Sequence, residues 1–208
     1  MRLLLIRHAE PQANVAGIVA GPKGCTGLTE RGRDQAEALA ERLRTEATQV
    51  VDFLYASILQ RAAETAEIIR PVLGASHVIR DCEFCELHPG ECDGLTWEEQ
   101  VRLYGPGDSR SPDEPISPGG ESLRAFDQRV RGALERLMQN HPQDSVALVC
   151  HGGLISAAVL PPGHSGPGRG EHLLPQPWLY LDHRVDRRAE PAADIGALQR
   201  RCPPRRAD

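Results

Sequence analysis

Apolar positions over the first 160 residues alternate between two periods. Short continuous runs, LLLI at 3–6, VVDFLYAS at 50–57 and SVALVC at 145–150, end abruptly at polar residues and predict buried parallel strands, with HVIR at 77–80 as a fourth. Between them the spacing turns helical. Ala36, Leu39, Ala40 and Leu43 share a face behind an N-cap at Thr29, and Ile58, Ala62, Ala66 and Ile69 share another that closes at Pro71 and Gly74. LTWEEQVRLYG (95–105) predicts a short helix, Leu123, Phe126, Val130, Leu134 and Leu137 a long one, and LISAAVL (154–160) a short apolar one. Strand and helix in turn predict an α/β fold, a three-layer sandwich with a mostly parallel central sheet and helices on both faces.

The stretches DCEFCELHPGECDG (81–94) and GPGDSRSPDEPISPGG (105–120) have loop composition. From Pro161 the periodicity fails, and residues 161–208 read as an irregular Pro/Gly/Arg-rich tail behind a domain at 1–160, with one apolar island at PWLYL (177–181).

Composition narrows the class. With 208 residues and 40% apolar content the chain can bury one sizeable core. A net charge of −5 without blocks of like charge argues against nucleic-acid or membrane partners and for a small molecule; oligomeric state is not readable. The apolar stretch after Arg2 is too short for a signal peptide, and no run reaches transmembrane length. Six cysteines then read as reduced thiols of a cytoplasmic protein.

Candidate chemistry collects at strand ends, where open α/β sheets bind ligands. The first strand delivers Arg7 and His8, the second is followed by Ser57 and Arg61, and the last delivers His151, Gly152 and Gly153. Two guanidiniums offer forks for phosphoryl oxygens, and an imidazole kept neutral by nearby positive charge can attack phosphorus. A leaving alkoxide needs an acid, for which Glu86, Glu91 and Asp93 in the loop after the third strand are all candidates.

These residues resemble the histidine phosphatase superfamily, which includes the cofactor-dependent phosphoglycerate mutases and many phosphomonoesterases. The opening Arg7, His8, Ala9, Glu10 and Asn14 is similar to its Arg-His-Gly/Ala signature. LTERGRDQA (28–36), SILQRAAETA (57–66), ELHPGECDGLTWEE (86–99), PGGES (118–122) and VCHGG (149–153) follow in the family's order. The resemblance implies a phosphoglycerate mutase-like fold, His8 as nucleophile, Glu86 as general acid and then base, and Arg7, Arg61 and His151 as the phosphate pocket. Asn14, Gly21 and the Gly152 backbone would be secondary contacts. It implies no metal or other cofactor. The chain departs from the pattern at Cys25, where the family often has Asp, and in the tail, which does not resemble the further strand that members usually add.

Within such a family a phosphatase is expected over a mutase. The candidate lid sets Arg110 against Asp108, Asp113 and Glu114, and mutases tend to have Asn where this chain has Gly153. Two readings of another class remain. One is a catalytically dead binder of a phosphorylated ligand, against which the intact set Arg7, His8, Arg61, Glu86 and His151 argues. The other is a small zinc-nucleated module: Cys82, Cys85, His88 and Cys92 form C-x-x-C-x-x-H-x-x-x-C, although Glu86, Gly90 and Gly94 explain the same loop in the phosphatase pattern.

Overall fold

Each of the four apolar runs becomes a strand of one sheet. In the computed structural model, described over residues 1–45, 50–106, 110–161 and 180–184, β1 (Arg2–Arg7), β2 (Phe53–Ala56), β3 (Val78–Arg80) and β4 (Ser145–Cys150) are parallel. A fifth, β5 (Tyr180–Arg184), runs antiparallel along β1, giving the order β3-β2-β4-β1-β5.

Over Tyr180–Arg184 the chain is a strand and not irregular as expected, and it adds the further strand that the tail sequence does not resemble. Its sequence YLDHR carries four charged or titratable positions between Pro- and Arg-rich flanks, a composition that a sheet edge tolerates and a buried strand does not. The rest of the expected tail, residues 162–179 and 185–208, lies outside the described residues.

Among the described residues six α-helices complete the layers: α1 (Gln12–Val15), α2 (Glu30–Thr45), α3 (Gln60–Ile69), α4 (Trp97–Tyr104), α5 (Leu123–Asn140) and α6 (Gly152–Val159). Strand alternation divides the core between two faces. Leu4, Ile6, Leu54, Ala147 and Val149 pack with Leu39 and Leu43 of α2 and with Ala62, Ala66 and Ile69 of α3. Leu3, Leu5, Val146, Leu148 and Cys150 pack with Phe126, Val130, Leu134 and Leu137 of α5 and with Leu154 and Ile155 of α6. Burying the Phe126 ring alone contributes about 2 kcal/mol.

Local capping follows the sequence where it was readable. Thr29 Oγ1 accepts from Gly32 N at 2.8 Å, and Thr96 with Glu99 closes a capping box on α4. Ile58 is a correction. It precedes α3, is 43% exposed and takes no part in that helix's buried face, because the chain between β2 and α3 is still extended at Leu59. α1 was not foreseen; four residues carry no readable period.

Candidate active site

The ends of β1 and β4 lie side by side, with Arg7 paired to Cys150 and His8 N donating to Cys150 O at 3.0 Å. The ladder therefore continues one residue past β1 and fixes His8 against the turn that opens α6. His8 is buried, and its two ring nitrogens have distinct partners. Nδ1 stands 2.7 Å from Ala9 O, which can only accept, so Nδ1 carries the proton. Nε2 then has its lone pair and accepts from Arg61 Nε at 3.2 Å.

Arg61 arrives from the first turn of α3 and is itself buried. Its Nη1 donates to Ala20 O at 2.9 Å, and its backbone N–H reaches Cys25 Sγ at 3.4 Å, so the thiol at the family's usual Asp position is a buried acceptor for the arginine's main chain. Thr65, one turn on, donates to Arg61 O at 2.7 Å and accepts from Ala9 N at 3.1 Å. That single hydroxyl ties the β1 end to α3.

His151 is fully buried as N-cap of α6, 5.0 Å from the His8 ring centroid. Neither of its ring nitrogens has a hydrogen-bond partner among the described residues. Two orphaned buried donors or acceptors beside a helix N-terminus and two arginines are what an anion pocket requires. Arg7 lines the same corner: a Cβ on Gly152 would stand 3.5 Å from its guanidinium.

Of the three candidate acids, Glu86 is the one whose carboxylate reaches the turn that opens α6. Its Oε2 accepts from Gly153 N at 3.0 Å and its Oε1 from Leu87 N at 3.3 Å. Glu91 instead accepts from Tyr104 OH at 2.9 Å, and Asp93 accepts from the backbones of Gly21, Lys23 and Gly24 at 2.8–2.9 Å. Gly21 donates its N–H to Asp93, and a Cβ there would lie 2.7 Å from Pro89, so the 20–24 loop packs tightly against the 86–94 loop. Asn14 sits exposed on α1, and Glu10 turns away from the pocket, accepting from Thr29 Oγ1 at 2.9 Å.

Burial sets the protonation states. It lowers His8 well below the ordinary histidine value, with Arg61 and then Arg7 adding to the effect against the Ala9 hydrogen bond. His151 is lowered in the same way, by burial first and then by Arg61. Glu86 moves upward because burial outweighs its hydrogen bond from Gly153 and the nearby guanidiniums. Burial thus shifts all three groups toward their uncharged forms.

Sequence reasoning missed the clamp behind the acid. Arg129 of α5 donates from Nη1 to Glu83 O at 2.8 Å and Cys85 O at 3.1 Å, and from Nη2 to Glu86 O at 3.3 Å, while its Nε and Nη2 hold the carboxylate of Glu121 at 2.7 and 2.8 Å. Glu121 in turn accepts from His88 N at 2.9 Å. The only signal for this was Glu121 within PGGES; Arg129 reads as a solvated helix position. Where the two loops meet, Gly90 adopts φ +59 with a would-be Cβ 2.3 Å from Gly120 N, a contact no side chain could make.

Gly153 carries a sharper constraint. A Cβ there would lie 2.4 Å from Glu86 Oε1. The flexible carboxylate can yield, so Gly153→Ala is expected to fold normally while its displaced acid lowers kcat about tenfold with little change in KM. Steady-state kinetics beside a thermal melt check this, and an unchanged kcat would detach Gly153 from the acid's placement.

Comparison with known proteins agrees with the geometry. The profile of the histidine phosphatase superfamily (branch 1) matches residues 3–161. A metal-independent phosphoserine phosphatase of Arabidopsis thaliana is 35% identical over 162 residues, covering 76% of this chain and 67% of that protein. A 2,3-bisphosphoglycerate-dependent phosphoglycerate mutase of Brucella anthropi is 33% identical over 170 residues, covering 76% and 79%. The solved structure of a mycobacterial glucosyl-3-phosphoglycerate phosphatase superposes with a TM-score of 0.63 at 32% identity, covering 77% of this chain and 82% of that one. With the profile matched over most of its length and an imidazole, an arginine and a carboxylate gathered at the HGG turn, this chain belongs to the histidine phosphatase superfamily.

Proposed function

We propose that this protein hydrolyses small phosphomonoesters through a phosphohistidine on His8, with no metal at the reacting centre. The observation that carries the reading is the pair formed by a buried His8 whose lone pair is on Nε2 and a half-buried Glu86 whose carboxyl is held by Gly153 N at the turn that opens α6. Nε2 attacks phosphorus, Arg7, Arg61 and His151 take up charge on the equatorial oxygens, and Glu86 gives its proton to the departing alkoxide. Glu86, now a carboxylate, accepts a proton from the water that attacks the phosphohistidine, releasing phosphate and restoring both groups.

Hydrolysis is favoured over mutase chemistry by the lid. A mutase must hold a second anionic group, yet Arg110, the basic residue of that loop, donates to Pro115 O at 2.9 Å and faces Glu114 at 3.9 Å. The deciding measurement is phosphate release from a monoester panel that includes phosphoserine and glycosylated phosphoglycerates, the substrates named for two relatives. Release from at least one ester is expected. Negligible release beside brisk isomerisation of monophosphoglycerates would make the protein a mutase.

We place it in the cytoplasm. The five cysteines among the described residues are free thiols, and no helix there is long and apolar enough to cross a membrane.

A further inference from the structure

The proposed reaction uses none of the sulfur in the acid loop, yet that loop brings three soft ligands together. Cys82 Sγ, Cys85 Sγ and a ring nitrogen of His88 all lie within 4.8 Å of one another, and Cys82 Sγ is 3.5 Å from His88 Nε2. Zinc–sulfur and zinc–nitrogen bonds of about 2.3 and 2.0–2.1 Å at a tetrahedral angle place S and N about 3.5 Å apart, so the pair already has its liganding separation. The 3-10 turn Cys82–Phe84, with Cys85 N donating to Cys82 O at 2.9 Å, folds the two thiols to the same side.

His88 is also backed as a ligand would be. Its Nδ1, the nitrogen turned away from Cys82, faces Glu121 Oε2 at 3.6 Å, an arrangement of carboxylate, imidazole and metal that holds a ligating ring in orientation. Charge closes as well: a divalent cation with two thiolates is neutral, and Glu121 is paired with Arg129. Cys92 does not join the group. It is fully buried and not within that distance of the other three, so the four-ligand arrangement considered from the sequence is not formed.

The geometry points to a three-ligand site for a thiophilic divalent cation, zinc by chemical class, formed by Cys82, Cys85 and His88, with water or an external thiol completing the tetrahedron. Cys85 directly precedes Glu86, so a bound ion would fix the backbone from which the acid projects without touching the phosphate. The site goes beyond the phosphatase reading and does not depend on it.

The test uses the full chain, reduced with a phosphine and stripped with a chelator, then titrated with cobalt(II). One equivalent is expected to develop thiolate charge-transfer and tetrahedral visible bands, bleached by one equivalent of zinc, and zinc is expected to raise Tm by a few degrees. Cys82 is partly exposed, so Cys82→Ser leaves the core intact; it and His88→Ala should each abolish the charge-transfer band or weaken cobalt binding at least about 100-fold. His8→Ala and Cys92→Ala should retain the bands. Absence of the bands in wild type, or bands that survive both Cys82→Ser and His88→Ala, would overturn the site. So would a protein isolated two hydrogens lighter, as a Cys82–Cys85 disulfide, that takes up no cobalt once reduced. Retained bands in His8→Ala with no phosphatase activity in wild type would sink the phosphatase reading alone.

Discussion

Replacing His8 with alanine is expected to cut phosphate release by at least about 10⁴-fold, the largest effect of any single change in this chain. No other group can take over. His151 is the only second imidazole in the pocket among the described residues, and as the N-cap of α6 its ring meets that of His8 edge-on, 5.0 Å between centroids. Arg61 loses a partner at Nε but keeps its bond to Ala20 O, and His151 loses the ring that meets its own edge-on while remaining the N-cap of α6. Inhibition by phosphate or vanadate should therefore stay within about tenfold of wild type while turnover vanishes. Acid-labile, alkali-stable label from a radioactive monoester should appear on wild type after rapid quench and be missing from the variant. Near-normal turnover in His8→Ala would remove the covalent mechanism.

What the sequence disclosed, and what it withheld, follows from how far each signal reaches. Strands β1, β2 and β4 were visible because residues buried on both faces make continuous apolar runs, and the site residues at their ends came with them. β5 was not, because an edge strand is bound by backbone pairing to β1, which leaves no apolar pattern to read. The acid was ambiguous for a similar reason: Glu86, Glu91 and Asp93 sit within eight residues of one loop, and only the three-dimensional path of that loop gives Glu86 to Gly153 and Asp93 to the 20–24 backbone. Arg129 was silent because its partners include backbone carbonyls contributed by a distant segment, which leave no trace in side-chain spacing. The cysteine motif was legible as a string but not as a shape, since Cys92 turns into the core while the other three ligands meet.

Glu86→Gln is expected to lower kcat on alkyl phosphates by about 10²–10⁴-fold, and the sign of its pH dependence identifies the acid. The active form needs His8 neutral and Glu86 protonated. His8 is neutral above its own pKa, which burial and Arg61 depress, so activity on the acid side is lost only well below the ordinary histidine range. Glu86 holds its proton below a pKa that burial raises above the ordinary carboxyl value, and binding of a phosphate dianion raises it further, so activity falls on the alkaline side as pH rises through that value. The glutamine variant has no proton to lose. Its profile should keep the His8 limb and lack the alkaline one. A nitrophenyl ester, whose leaving group departs without protonation, should be hydrolysed by Glu86→Gln far closer to the wild-type rate than an alkyl ester is. An alkaline limb that persists unchanged, or equal losses on both esters, would assign the proton to another group and leave the carboxylate at Gly153 with a purely structural part.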